Sequence, residues 1–138
     1  MTIKIEGIER VMEQLKQKGA EVEKKTRDAV HRSAYRIHGS AVKRIQNGPA
    51  SGRTYEKYQP RRTHKASAKG EAPMADTGEL VSKSGVNTDS MYAEVVFFAD
   101  YARYLEFGTT KMDPRPFLVP SLEEDIPVLR SELMEVAK

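Results

Sequence analysis

The 138-residue chain is long enough for one domain with one hydrophobic core, and its 38% hydrophobic and 31% charged residues exclude a wholly disordered chain. It has no cysteine, no apolar run near the roughly 20 residues that span a bilayer, and no visible secretory signal. Disulfides and cysteine-based zinc sites are therefore excluded, and folding in a bacterial cytoplasm fits. The net charge is only +3, but residues 43–70 carry eight Lys or Arg against one acid, so this segment is +7 and the remainder −4.

The N-terminal third predicts a short strand followed by a long amphipathic helix. Residues 2–6 alternate between polar and apolar types, as in a strand. Over residues 8–45, including Leu15, apolar or small side chains recur at steps of three or four and form one helical stripe of about 38 residues. Gly19 and Gly39 are points where this helix can bend or split. So small a domain cannot cover the whole stripe, and we expect part of it to pack on another subunit.

Residues 47–76 show no helical or strand period and contain three Gly, three Pro and most of the basic block. A stretch of this length without periodicity usually indicates function or disorder. We interpret it as a mobile excursion or a long hairpin that leaves the body of the domain. Its tyrosines, Tyr55 and Tyr58, alternate with basic residues, the mixture that nucleic-acid binders use for phosphate contact and stacking. The alternatives are a solvated loop and a basic arm that pairs with an acidic neighbouring subunit.

The C-terminal half predicts two strands and two helices. After turn residues at 76–78, residues 80–86 and 91–98 (from Met91) read as strands joined by a polar turn at 87–90. The second strand is apolar on both faces near its end, so we expect it to be central in its sheet. Residues 99–107 predict a short helix that ends at Gly108. From Phe117 onward the spacing is helical again, and Pro127 is expected to kink or divide that helix.

No arrangement of residues predicts catalysis or a metal site. Neither a phosphate-binding loop nor a nucleophile elbow is present. His31 and His38 are seven residues apart, which separates them by about 10 Å along a helix and does not allow them to share one zinc ion. The spacing of the C-terminal helix predicts that the acidic pair Glu123 and Glu124 lies on its solvent-exposed face. We therefore expect a protein that is not an enzyme and has no cofactor.

The most distinctive segment is residues 101–109, a short amphipathic helix that ends in glycine. Tyr101, Tyr104 and Phe107 are three residues apart and form one face. We expect these three, together with Phe117, to bury the short helix and the C-terminal helix against the sheet. Glu106 stands among them. It either caps a helix or pairs with a nearby arginine (Arg103 or Arg115), or it fixes a turn or contacts a neighbouring subunit.

Several stretches of the chain resemble one known protein family. One resemblance is to the signature of the tail-completion, or head–tail joining, proteins of lambdoid and related siphophages. It is carried by residues 101–109 (Tyr-Ala-Arg-Tyr-Leu-Glu-Phe-Gly-Thr), followed by residues 116–118 (Pro-Phe-Leu) and Pro120. Residues 67–73 (Ser-Ala-Lys-Gly-Glu-Ala-Pro) and 76–80 (Asp-Thr-Gly-Glu-Leu) are similar to an earlier stretch of the same family. The opening strand and the long helix also fit, so the likeness covers nearly the whole chain. A proline inside the C-terminal helix departs from the family pattern.

The resemblance implies an α+β fold in a single domain over residues 1–138. In this fold a long N-terminal helix and a C-terminal helix pack on a small, mainly antiparallel sheet, with a long flexible basic loop over residues 47–76. It also implies assembly of the chain with itself into a ring, commonly hexameric, that joins the phage head connector to the tail-tube proteins at the neck of the virion. DNA passes through that ring, so non-specific DNA contact is expected and membrane contact is not. The chain would be present in the host cytoplasm during assembly.

We therefore expect a structural adaptor, and the alternative is a nucleic-acid-binding protein that uses residues 43–70. The expected assembly or DNA-channel contacts are Arg53, Lys57, Arg61, Arg62, Lys65, Lys69 and Glu106. The expected structural signature residues are Tyr101, Tyr104, Phe107, Gly108, Pro116 and Phe117.

Overall fold

The computed structural model describes residues 1–5, 7–15, 19–58, 61–90 and 92–138, with the backbone alone described at residues 14 and 15. The helices and strands in these ranges are, in chain order, β1 (Thr2–Lys4), α1 (Ile8–Leu15), α2 (Ala20–Asn47), β2 (Thr54–Tyr58), β3 (Arg61–Lys65), α3 (Glu79–Ser82), β4 (Ser84–Thr88), β5 (Ala93–Phe97), α4 (Ala102–Phe107) and α5 (Leu118–Val136). Parts of the sequence predictions lie outside the described residues. They are the end of the first strand at Glu6, residues 16–18 and the side chain of Leu15 in the helical stripe, residues 59–60 of the basic segment, and the start of another strand at Met91.

The apolar stripe of the N-terminal half belongs to two helices, α1 with 8 residues and α2 with 28. Gly19, the N-cap of α2, has a φ of +93°, a left-handed conformation that cannot continue an α-helix, so the stripe is divided at this glycine. Gly39 lies inside α2 and does not interrupt it. The buried residues of α2 are Thr26, Ala29, Val30, Ser33, Ala34, Ile37, Ala41 and Ile45. In the described ranges, no helix combines the length and the apolar character needed to cross a membrane.

Strand β5 is the central strand of a three-stranded antiparallel sheet, between β1 and β4. Helix α2 packs against β4 and β5 and also against α5. The fully buried rings of Phe97 in β5 and Phe117 at the start of α5 meet edge to face, with centroids 5.0 Å apart. The central position predicted for β5 is confirmed, and so is the α+β fold class with both helices packed on a small antiparallel sheet.

The strand predicted over residues 80–86 is wrong in its first half. Glu79–Ser82 is a helical turn, in which the backbone N–H groups of Ser82 and Lys83 donate to the carbonyl oxygens of Gly78 and Glu79, at 2.9 Å each. Strand β4 begins only at Ser84 and extends to Thr88, into the segment predicted as a turn. The cause is local, because Gly78 takes a left-handed conformation with φ +79° and starts a helical turn that buries Leu80.

Helix α5 runs from Leu118 to Val136 with Pro127 inside it, so the proline does not divide the helix. The guanidinium group of Arg36 in α2 pairs with Asp125 before the proline, at 2.6 Å, and with Glu132 after it, at 3.1 Å. Both halves of α5 are thereby paired with the same helix, although Pro127 cannot donate a backbone hydrogen bond. Helix α4 begins at Ala102, three residues later than predicted, and ends before Gly108 as predicted.

Candidate functional site

The basic segment contains a two-stranded antiparallel hairpin, β2–β3, which is one of the two forms that the sequence allowed. The strands pair from Thr54 opposite Lys65 to Tyr58 opposite Arg61. Directly opposed residues lie on the same face of such a pair. One face, here called the inner face, carries Tyr55, Lys57, Arg62 and His64. The other, the outer face, carries Thr54, Glu56, Tyr58, Arg61, Thr63 and Lys65, all of them exposed.

Asp76 binds the inner face of the hairpin to the body of the domain. Lys57 Nζ donates to Asp76 Oδ2. Arg62 Nη1 lies 2.5 Å from Asp76 Oδ1 and also donates to the Asp76 carbonyl oxygen, at 3.1 Å. His64 Nδ1 is 3.6 Å from the same carboxylate. Burial, together with the neighbouring Lys57 and Arg62 cations, lowers the pKa of His64, which favours its neutral form. The ion pairs of Asp76 are then those with Lys57 and Arg62.

The outer-face cations Arg61 and Lys65, and Arg53 just before β2, are exposed and form no ion pair with any described residue. Lys69 lies 3.5 Å from Asp113, and the two side chains are 76% and 61% exposed, so this pair contributes little to stability. The six basic residues predicted as assembly or DNA contacts therefore fall into two groups. Lys57 and Arg62 are held by an acid of the chain itself, whereas the other four face solvent.

Glu71 closes the base of the hairpin. Its carboxylate accepts hydrogen bonds from the backbone N–H groups of Ser51, at 3.1 Å, and Ala68, at 2.8 Å, and from the Ser51 hydroxyl. These bonds lower the pKa of Glu71, the one from Ala68 most of all. Gly52 is required at the same point, since a Cβ atom there would lie 2.6 Å from the carbonyl oxygen of Ser67. The two ends of the hairpin are thus fixed at its base.

Glu106 is 3% exposed and caps helix α5. Its Oε2 accepts from the backbone N–H groups of Phe117, at 2.9 Å, and Leu118, at 3.0 Å, and its Oε1 from Val119, at 2.8 Å. Three of the free N–H groups at the helix N-terminus are satisfied by this one carboxylate, which also lies at the positive end of the helix dipole. Of the alternatives left open by the sequence, this geometry is that of the cap.

The prediction that Tyr101, Tyr104 and Phe107 are buried against the sheet is wrong. Tyr101, Tyr104 and Phe107 are 38%, 56% and 61% exposed, whereas Phe117 is fully buried as expected. The three do share one face of the helix, but α4 turns its other side, with Ala102 and Glu106, to the core. A group of exposed aromatic side chains on one short helix is typical of a protein–protein contact surface. We call these three residues the aromatic face of α4.

The two halves of the sequence signature meet in space. Arg115 Nη1 donates to the buried Ser67 Oγ at 3.2 Å, and the Gly70 backbone N–H donates to the Pro114 carbonyl oxygen at 3.3 Å. Gly108 makes the approach possible, since its φ is +75° and a Cβ atom there would lie 2.8–2.9 Å from Met112 and Pro114. Pro116, half-buried, precedes the core residue Phe117. The base of the hairpin and the end of α4 therefore form one rigid unit.

The histidines predicted to be unsuited to a shared metal ion have separate partners. His31 Nε2 lies 2.7 Å from the Asp89 carbonyl oxygen, and His38 Nε2 lies 2.9 Å from Ser84 Oγ. Burial lowers the pKa of His38. Among the residues that the structure describes, no group of three or more His, Asp or Glu side chains is placed to hold a metal ion.

Sequence reasoning missed Asp76 and Glu71 as site residues. The available signal was that both acids follow the basic block directly and fall within the stretches that resemble a known family. Spacing along the chain could not show that Asp76 contacts side chains 14 and 19 residues earlier.

The comparisons with known proteins bear on this arrangement directly. The profile of one family, described as "Bacteriophage HK97-gp10, putative tail-component", matches residues 8–108. The matched range includes the hairpin, Asp76 and the aromatic face of α4, and it ends at Gly108. No curated protein and no solved structure matches the chain.

Proposed function

Since the chain belongs to the HK97 gp10-like family of phage tail components, we propose that it is the structural adaptor that joins the head connector to the tail tube. In this role it assembles as a ring, hexameric in the completed virion, at the neck between head and tail. It is made in the host cytoplasm and carries out no reaction there. Its partners are further copies of itself, the connector and the tail-tube proteins.

The observation that carries this proposal is the exposed aromatic face of α4. Tyr101, Tyr104 and Phe107 expose 38–61% of their surface to solvent in the isolated chain. Aromatic side chains are enriched in protein interfaces, because they bury a large area at a small cost in conformational entropy. A ring subunit needs such a surface on its outside. The hairpin supplies the cations that would face DNA in the channel or an acidic partner.

The alternative function, nucleic-acid binding by residues 43–70, is favoured by one observation. Tyr55 and Tyr58 are 50% and 70% exposed on the hairpin, beside the exposed cations Arg53, Arg61 and Lys65, which form no ion pair with any described residue. Exposed aromatics among cations can stack on bases while the cations contact phosphates. Tight, sequence-selective binding at physiological salt would favour this function over the adaptor.

Electron microscopy of a complementing mixture tests the adaptor proposal. Purified protein is added to tailless heads and free tails from a phage that lacks this chain, and joined particles are counted. We expect joined particles with additional ring-shaped density at the neck. If the protein is absent from joined particles, or if joining proceeds equally without it, the proposal is wrong.

A further inference from the structure

Above the base of the hairpin, the ion pairs that join β2 and β3 to the rest of the described chain all end on Asp76. No residue of these two described strands is buried. Backbone hydrogen bonds continue the ladder to its base, where Gly52 and Ala66 meet. A two-stranded ribbon without a core is marginal on its own. The position of the hairpin on the body therefore depends on the pairs that Lys57 and Arg62 make with Asp76.

The closed position also leaves two polar atoms without a hydrogen bond. Arg62 Nε and Asp76 Oδ1 are both buried and have no hydrogen-bond partner among the described residues, although Arg62 Nη1 lies 2.5 Å from that oxygen as an ion pair. Movement of the hairpin away from the body would return this N–H to water or offer it to a ligand, which favours opening. Asp76 is therefore the element that opposes opening.

We propose that Asp76 is a latch that holds the hairpin against the body and masks a second, inner phosphate-binding face for duplex DNA. In the open position Lys57 and Arg62 become available beside Tyr55, in addition to the outer-face cations Arg61 and Lys65. The choice of DNA as the ligand rests on the proposed function, in which the hairpin lines a channel that passes DNA. The latch itself does not rest on it and is tested without DNA.

Duplex DNA is the ligand that fits the charge of the opened hairpin. Both faces then carry two cations, and the hairpin has one acid, Glu56, whose carboxylate accepts a hydrogen bond from the Tyr58 hydroxyl at 3.0 Å. Cations on opposite faces of a narrow ribbon can contact the two phosphate backbones on either side of a groove. Such contacts release counterions and make affinity fall with salt, by about 0.9 logarithmic units per phosphate for each tenfold increase.

The test compares Asp76→Asn with Asp113→Asn, which removes the same charge from a solvent-exposed pair with Lys69. Amide hydrogen exchange of residues 54–58 and 61–65 should rise severalfold in Asp76→Asn and stay unchanged in Asp113→Asn. Binding to a fluorescent 20-base-pair duplex should become tighter in Asp76→Asn. The slope of log affinity against log salt concentration should steepen by about 1.8 in Asp76→Asn, because two more phosphates are contacted. Between 50 and 200 mM salt this variant should therefore lose about tenfold more affinity than the unchanged protein. For Asp113→Asn the slope should steepen by at most about 0.9.

A second variant separates the latch from the DNA contact. Lys57→Gln combined with Arg62→Gln removes the cations instead of the acid, so hairpin exchange should rise as in Asp76→Asn while DNA binding gains nothing. If Asp76→Asn fails to fold, hydrogen exchange of this variant still tests whether the ion pairs with Asp76 hold the hairpin closed. Unchanged hairpin exchange in both variants overturns the latch. If the hairpin is open in Asp76→Asn but its salt slope equals that of Asp113→Asn, the proposal that the inner face binds DNA is wrong. Neither result affects head–tail joining by the adaptor, which is measured separately.

Discussion

Glu106 is a single side chain whose role is fixed by its contacts. Replacement by glutamine keeps the shape but substitutes an NH2 group for one acceptor oxygen. One of the three N–H groups at the start of α5 then loses its partner inside the protein. We expect Glu106→Gln to lower the free energy of unfolding by about 1–3 kcal/mol and Tm by roughly 5–10 °C. Glu123→Gln, at an exposed position on the same helix, is the matched control. Equal melts for both variants would show that the cap contributes nothing.

The two phenylalanines of the signature should differ in their effect on stability. Phe117 is fully buried against Phe97, and Phe107 is 61% exposed. Phe117→Ala should cost about 3–5 kcal/mol, the usual range for a buried phenylalanine, whereas Phe107→Ala should stay within about 0.5 kcal/mol. Urea denaturation of both variants measures the difference. A large loss for Phe107→Ala would mean that the aromatic face of α4 is part of the core after all.

Among the elements, the hairpin should be the most mobile part of the described chain. Its strands bury no residue, while β5 lies between two neighbours with its side chains in the core. Amides of β2 and β3 should therefore exchange much faster than those of Ala93–Phe97. Hydrogen exchange followed by mass spectrometry resolves the two segments. Comparable protection in both would contradict the predicted mobility of residues 47–76.

The elements differ in how far sequence could predict them. The stripe of α2, the central position of β5 and the end of α4 follow from periodicity, β-propensity and a glycine, which are local signals. The spacing of three between Tyr101, Tyr104 and Phe107 correctly placed them on one face. It could not show that the face points outward, because orientation depends on contacts between α4 and the distant start of α5. The contacts of Asp76 were unpredictable for the same reason, whereas the cap made by Glu106 was one of the alternatives that the sequence allowed.

At the scale of the whole molecule, the separation of charge governs how the free protein meets DNA. Residues 43–70 carry +7 and the rest of the chain −4. The free protein should bind duplex DNA weakly and without sequence preference, with an affinity that falls steeply as salt rises. Fluorescence anisotropy with two unrelated duplexes, at several salt concentrations, checks this. Tight binding to one duplex alone at physiological salt would support the nucleic-acid-binding alternative.

The central claim is that the exposed aromatic face of α4 joins this protein to its neighbours in the neck. The most direct measurement is in vitro joining of tailless heads and tails with the double variant Tyr104→Ala and Phe107→Ala. Tyr35→Ala is the matched control, an aromatic residue that is 59% exposed on a different helix. We predict that the double variant melts like the unchanged protein but loses at least tenfold in joined particles, while Tyr35→Ala joins normally. Normal joining by a folded double variant would contradict the account.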